Sequence, residues 1–184
     1  MTGAVGDDAA VVVTGLGAVT PLGVTVKETW EGLLSGHSAV QALNQSWAAG
    51  LPVRIAAPAA AEPAPLLERV LARRVDRVGA FGLLAVREAW ADAGFVGRAD
   101  ASGPIDPERV AVVLGTGIGG AHTVVHNNEE LRTRGPRRVS PHTVPMLMGN
   151  HSSALAAIDV YKRQGSAGPT WCLQAVPMPA CTRW

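Results

Sequence analysis

Three glycines and two histidines are the first residues whose types and spacing permit chemistry. Gly115, Gly117 and Gly120 satisfy G-x-G-x-x-G directly after the apolar run Val110-Ala-Val-Val-Leu114. Backbone N–H groups at such a turn, leading into a helix N-terminus, can cradle a pyrophosphate. A dinucleotide site also needs a carboxylate at the end of the next strand, about 20 residues on, for the ribose hydroxyls. That region reads Arg134-Gly-Pro-Arg137-Arg138-Val139-Ser140-Pro141, which is not a strand ending in an acid, and its arginines would suit only a 2′-phosphate. The preferred reading is a tight strand-to-helix turn in which glycine permits close packing. An NADP-binding Rossmann domain is the competing one, and no cofactor is expected.

His122 and His126 lie four apart on an expected helix, so both imidazoles can share one face. The intervening Thr123-Val124-Val125 lacks the glutamate of a metalloprotease helix, and His37, His142 and His151 are isolated. The pair therefore reads as a solvated helix face, with no metal site. Cys172 and Cys181 are nine residues apart without partners for zinc or a disulfide framework. Neither has the surroundings of an acyl-transfer nucleophile, which needs bases nearby in the fold.

The elements that must position these residues alternate between strand and helix signals, the pattern of an α/β fold. Val11-Val-Val-Thr14 reads as a buried strand entering a turn at Gly15-Leu-Gly17. Thr25 offers an N-cap with Glu28 three residues later, and that helix stops at Gly36. Residues 55–65 are mostly Ala and Pro and suit an irregular connection. Asp76 to Ala93 carries Val78, Phe81, Ala85 and Ala89 at helical spacing, with Gly94 as the stop. Val110 to Leu114 is the second buried strand. A polar helix follows to about Arg132, and Ser140-Pro141 opens an apolar helix containing Met146 to Met148 and Ala154 to Ala157. No internal repeat is evident.

Composition excludes several partners. Sixteen basic and fifteen acidic residues among 184 leave a formal charge of +1, far from the basic field that sequence-independent nucleic-acid binding requires. The longest apolar runs fall well short of the roughly 20 residues that span a bilayer. The opening residues carry Asp7 and Asp8 where a targeting sequence would be basic, so a cytoplasmic protein is expected.

From Val11 to about Ala157 the chain resembles the N-terminal part of bacterial β-ketoacyl-acyl carrier protein synthases, condensing enzymes of the thiolase-like superfamily, especially the type II elongation enzymes. Five ordered segments carry the resemblance. They are Val11-Val-Val-Thr-Gly-Leu-Gly-Ala-Val-Thr-Pro-Leu-Gly23, Thr29-Trp30 with Leu33-Leu-Ser-Gly36, Ala89-Trp-Ala-Asp-Ala-Gly94, Gly115-Thr-Gly-Ile-Gly-Gly120, and Arg138-Val-Ser-Pro141 followed by Val144-Pro-Met146. The resemblance implies an incomplete N-terminal half of a layered αβαβα fold. It also implies decarboxylative Claisen condensation of an acyl-enzyme with malonyl-acyl carrier protein, in fatty-acid or polyketide synthesis, by a homodimer.

Such chemistry needs a cysteine thiolate at a helix N-terminus, an oxyanion hole and two histidines. In the family these follow the matched region, so no catalytic residue is assigned here and the chain is expected to be inactive alone. A noncatalytic chain-length-factor subunit is the alternative. Ile118, between Gly117 and Gly119, matches the gate of the acyl tunnel. Arg138, Ser140, Pro141, His142, Thr143, Pro145 and Met146 match a segment at the dimer interface that reaches the partner's pocket. The family often has aromatics after that proline, where this chain has His142 and Thr143.

Beyond about residue 158 the character of the sequence changes. Fourteen of the sixteen basic residues are Arg, yet the only Tyr, Tyr161, adjoins one of two lysines, Lys162, and both cysteines and two of five tryptophans fall in the last 14 residues. Asp159-Val-Tyr-Lys-Arg-Gln164 matches the in-frame translation of a transposon-end adaptor used in sequencing libraries. Read two bases downstream, the codons of residues 167–184 permit Arg-Gly-Pro-Asn-Leu-Val-Ser and later Ala-Gly-Leu-His-Ala-Val. This resembles the family's nucleophile region, with a cysteine permitted one place before the expected position. The chain is therefore divided into a synthase domain, 1–158, and an adaptor-derived, frame-shifted tail, 159–184, expected to lack evolved packing.

Overall fold

A computed structural model describes residues 11–97, 105 and 110–160, and the backbone of 171–174. In chain order the elements are α1 (Val26–Leu34), β1 (Gln41–Ala42), β2 (Ile55–Ala56), α2 (Arg69–Ala72), α3 (Arg77–Asp92), β3 (Val110–Val113), α4 (Ala121–Arg134), α5 (Thr143–Leu147), α6 (His151–Val160) and β4 (Trp171–Gln174). Short 3-10 turns at Ser46–Ala48, Ala64–Leu66 and Pro136–Arg138 link them. β1 and β2 pair antiparallel, with Gln41 opposite Ala56. β3 and β4 pair parallel, with Val110 opposite Trp171 and Ala111 opposite Cys172.

Capping chemistry sets the helix ends. The Thr25 hydroxyl accepts from the Glu28 N–H at 3.1 Å, while Glu28 Oε2 accepts from the Val24 N–H at 2.7 Å. Two orphan donors at the start of α1 are thereby satisfied, a capping box displaced by one residue. After α3, Gly94 takes a left-handed φ of +82° and the Phe95 N–H reaches back to the Trp90 carbonyl at 3.1 Å. That is the closure a glycine stop provides.

The core lies between α3 and α6. α3 buries Gly79, Ala80, Gly82, Leu83, Ala85, Val86, Ala89 and Trp90. Leu83 and Val86 are 1% and 0% exposed, each contributing about 1.5–3 kcal/mol of apolar burial. Val78 and Phe81, expected on the core stripe, are only half-buried. The buried stripe is displaced because α3 is covered on two sides. Ser152, Leu155, Ala156 and Val160 of α6 approach one side, at Gly79, Gly82 and the Val86–Trp90 turn. The N-terminal segment crosses the other, where a Cβ on Gly17 would stand 1.9 Å from the Ala85 carbonyl oxygen.

Three expectations change. Residues 11–14 form no strand, and Val11 and Val13 are 100% and 79% exposed. Among the described residues this segment has no ladder partner, and it is held instead through Leu16 and Ala18, whose N–H groups donate to Asp92 (2.8 Å) and Glu88 (2.9 Å). The apolar helix expected after Ser140-Pro141 is two helices, broken where Met148 turns to ψ 136°. At the break the Leu147 carbonyl accepts from the Gly120 N–H at 3.1 Å, and the His151 N–H turns back to the Met148 carbonyl at 3.0 Å. Residues 55–65, read as irregular, contain β2 and a 3-10 turn. The adaptor-like residues 161–164 and Cys181 lie outside the described residues.

Candidate functional site

The G-x-G-x-x-G segment is a turn from β3 into α4. Its closest packing is made by Gly119 and Gly120 rather than by Gly115 or Gly117, which have open space where a Cβ would be. Gly119 adopts a left-handed φ of +73°, and a Cβ there would lie 2.6 Å from the Leu147 carbonyl oxygen. At Gly120 it would lie 2.1 Å from the Met146 carbonyl oxygen. The turn is thus docked backbone to backbone on the end of α5. Ile118 projects from its tip, 75% exposed. Residues 134–141 form a 3-10 turn and a bend rather than a strand ending in an acid, so the ribose-binding half of a Rossmann site has no counterpart here.

The expected pocket segment is brought to the same corner. Its entry is built by Ser140, whose carbonyl accepts from the Thr143 N–H (3.1 Å) and hydroxyl (2.6 Å) and whose Oγ accepts from the His142 N–H (3.2 Å). His142 then supplies the carbonyl for the Met146 N–H at 3.0 Å, starting α5. Met146 thereby meets the turn at Gly120, two residues after Ile118, while Pro141, His142 and Pro145 are exposed. Arg138 is exposed in the 3-10 turn beyond the far end of α4.

A chain of buried polar groups, not evident in the sequence, positions this corner. Asp76, 3% exposed, caps α3 by accepting from the Val78 N–H at 3.0 Å. Its other oxygen accepts from both the N–H (2.9 Å) and the hydroxyl of Thr123 on α4. One turn on, the Asn127 amide donates to the Thr123 carbonyl at 2.9 Å and accepts from the Ser140 N–H at 2.8 Å. Thr123 and Asn127 are 3% and 7% exposed. The only hint in the sequence was the i, i+4 spacing of two polar residues on the expected helix.

His151, at the start of α6, lies beside this chain. Burial pushes its imidazole below the usual histidine range, opposed by the nearby Asp76 carboxylate and a hydrogen bond to the Arg74 backbone. Its Nε2 is buried without a partner among the described residues. His122 and His126 are exposed on α4, rings 6.4 Å apart and 9° from parallel. Among the described residues no group of three or more His, Cys, Asp or Glu could hold a metal, and no helix is long and apolar enough to cross a membrane.

The mixed helix-and-sheet architecture is that of part of a thiolase-like α/β condensing enzyme. The chain belongs to the family described as "Beta-ketoacyl synthase, N-terminal domain", whose model matches residues 8–176. It is 36% identical over 150 residues to 3-oxoacyl-[acyl-carrier-protein] synthase 2 of Coxiella burnetii, a match covering 80% of this chain and 35% of that protein. Among solved structures it is similar to a beta-ketoacyl synthase from Burkholderia phymatum (27% identity, TM-score 0.63, 80% of this chain and 36% of that one). It also shares the fold of the ishigamide ketosynthase/chain length factor (23% identity, TM-score 0.65, 81% and 36%). The chain spans little more than a third of the length of these relatives.

Proposed function

We propose that this chain is the N-terminal part of a ketosynthase that extends acyl chains by decarboxylative condensation with malonyl-acyl carrier protein. The observation carrying this reading is the family match over residues 8–176 together with the Gly119–Gly120 turn seated on Met146 and Leu147. In the intact enzyme Ile118 gates the acyl tunnel, with Gly117 and Gly119 giving the turn its shape. The segment containing Arg138, Ser140, Pro141, His142, Thr143, Pro145 and Met146 faces a second copy in a homodimer. The exposure of Ile118, Val144 and Met148, at 75%, 64% and 46%, suits surfaces that remaining parts of the enzyme would cover.

The 184-residue chain does not itself condense. A nucleophilic thiolate needs a helix N-terminus or an equivalent positive field. Cys172 instead sits within β4, opposite Ala111, and Cys181 has no matching context. The division at 158 reflects the coding sequence rather than packing, since Asp159 and Val160 complete α6. The test is mass-spectrometric detection of 3-ketoacyl product from malonyl and acyl carrier thioesters. No product is expected from this chain, and product formation would overturn the reading. The shared fold of ketosynthases and chain length factors leaves a noncatalytic subunit as the second reading. It predicts a residue other than cysteine at the nucleophile position of the full-length protein.

A further inference from the structure

We propose that His122 and His126 form a two-imidazole clamp for a late first-row divalent ion on the outer face of α4. The i, i+4 spacing puts both side chains on one helix face. Both rings are exposed and near parallel, 6.4 Å between centroids. Apart from that ring contact, neither makes a hydrogen bond or ion pair among the described residues. His151 differs, being half-buried, with its Nε2 enclosed, and tied to the Arg74 backbone. Rotation of exposed side chains is all that is needed to bring one nitrogen of each ring to the ~2.0–2.1 Å of a shared ion.

The ligand set defines the ion. Two imidazoles without thiolate or carboxylate favour Cu2+ over Ni2+ and Zn2+, following the general order of divalent affinities. Glu130 lies one further turn along the same stripe but is paired with Arg134 at 3.2 Å, and no third ligand completes a group with the two histidines among the described residues, which supply two donors. The remaining coordination positions are open to water or to a chelating ligand. His122 also lines a cleft of about 770 Å3 with Gln41, Asn44, Gln45 and Trp47, which gives such a ligand room beside the ion.

The site has a structural consequence. His122 and His126 each directly precede a residue that holds the buried chain, Thr123 and Asn127. An ion bound outside α4 therefore braces the helix whose inner face fixes Asp76 and Ser140. The unfolded chain lacks the paired geometry, so binding stabilises the fold.

The test is titration of the 184-residue chain, its thiols alkylated, with copper(II)-nitrilotriacetate, which leaves positions open for two imidazoles. Calorimetry should give one site per chain, and electron paramagnetic resonance should show coupling to two imidazole nitrogens. H122A and H126A should each weaken binding at least tenfold and abolish the copper-induced rise in melting temperature, while H37A stays within twofold of the parent. Parental affinity in either single variant, or coupling to a single imidazole in the unsubstituted chain, would overturn the proposal. The spectroscopic readout does not depend on any variant folding.

Discussion

Asp76 holds Thr123 twice: one carboxylate oxygen accepts both the N–H and the hydroxyl of a residue 47 positions away. The other oxygen caps α3, so one buried side chain fixes where α4 begins relative to α3. Loss of an N-cap costs about 0.5–2 kcal/mol, and leaving buried donors unpaired adds roughly 1–3 kcal/mol. Asp76→Ala should destabilise the fold by about 2–4 kcal/mol and Thr123→Val by about 1 kcal/mol in denaturant unfolding. In a double-mutant cycle the two losses should be less than additive. Full additivity would show that the contact carries no coupling.

His151 makes stability depend on pH. Burial lowers its folded-state pKa below the unfolded value of about 6.5, so the unfolded chain binds the extra proton more readily. Its effect is absent above the unfolded pKa, sets in as pH falls through about 6.5 and is complete below the folded pKa. The facing groups are the Asp76 carboxylate, which favours protonation, and the Arg74 backbone. Unfolding midpoints between pH 7.5 and 5 should fall less steeply in His151→Gln than in the parent. Parallel curves would remove His151 as the source.

Gly120→Ala should be disruptive, because Gly120 is buried where the turn meets α5. Its Cβ would lie 2.1 Å from the Met146 carbonyl oxygen, and backbone on both sides leaves nothing flexible to yield. A cost of about 3 kcal/mol is expected, against less than 1 kcal/mol for Gly117→Ala, where space is open. Comparing the two variants by chemical denaturation checks this. Equal effects would mean that the turn is not docked on α5.

Arg87 links α3 to the end of α6, donating to both oxygens of Asp159 at 2.8 and 2.9 Å and more loosely to Glu68 at 3.2 Å. The Asp159 hydrogen bonds hold the guanidinium pKa above its usual value, and Glu68 is lowered by its own backbone N–H and by Arg87. Arg87→Lys cannot reproduce the fork. It should lose most of what Arg87→Ala loses, about 1 kcal/mol for a pair that solvent partly screens. A fully stable lysine variant would show that charge alone suffices.

Local chemistry made α1 and α3 legible. Thr25 with Gly36 and Asp76 with Gly94 mark the ends of α1 and α3, because caps act within a turn of their own residues. The β3-to-α4 turn followed from the glycine spacing after an apolar run, whereas its docking on the end of α5 left no local signal. What stayed hidden depends on distant partners. Four β-branched and apolar residues at 11–14 read as a strand, but a strand exists only with a neighbour, and among the described residues Glu88 and Asp92 hold this segment from a helix instead. The break between α5 and α6 coincides with a long-range contact, the Gly120 N–H donating to the Leu147 carbonyl. The Asp76–Thr123–Asn127–Ser140 chain spans three elements and leaves only a weak periodic trace.

The most direct test of the proposed origin of this chain is the sequence of its genomic locus across codons 155 to 185, read from unfragmented DNA. The expected result is one uninterrupted frame without the Asp159 to Gln164 codons, continuing into a ketosynthase segment with its nucleophilic cysteine. Genomic codons that reproduce residues 159–184 as printed, ending where this chain ends, would contradict it.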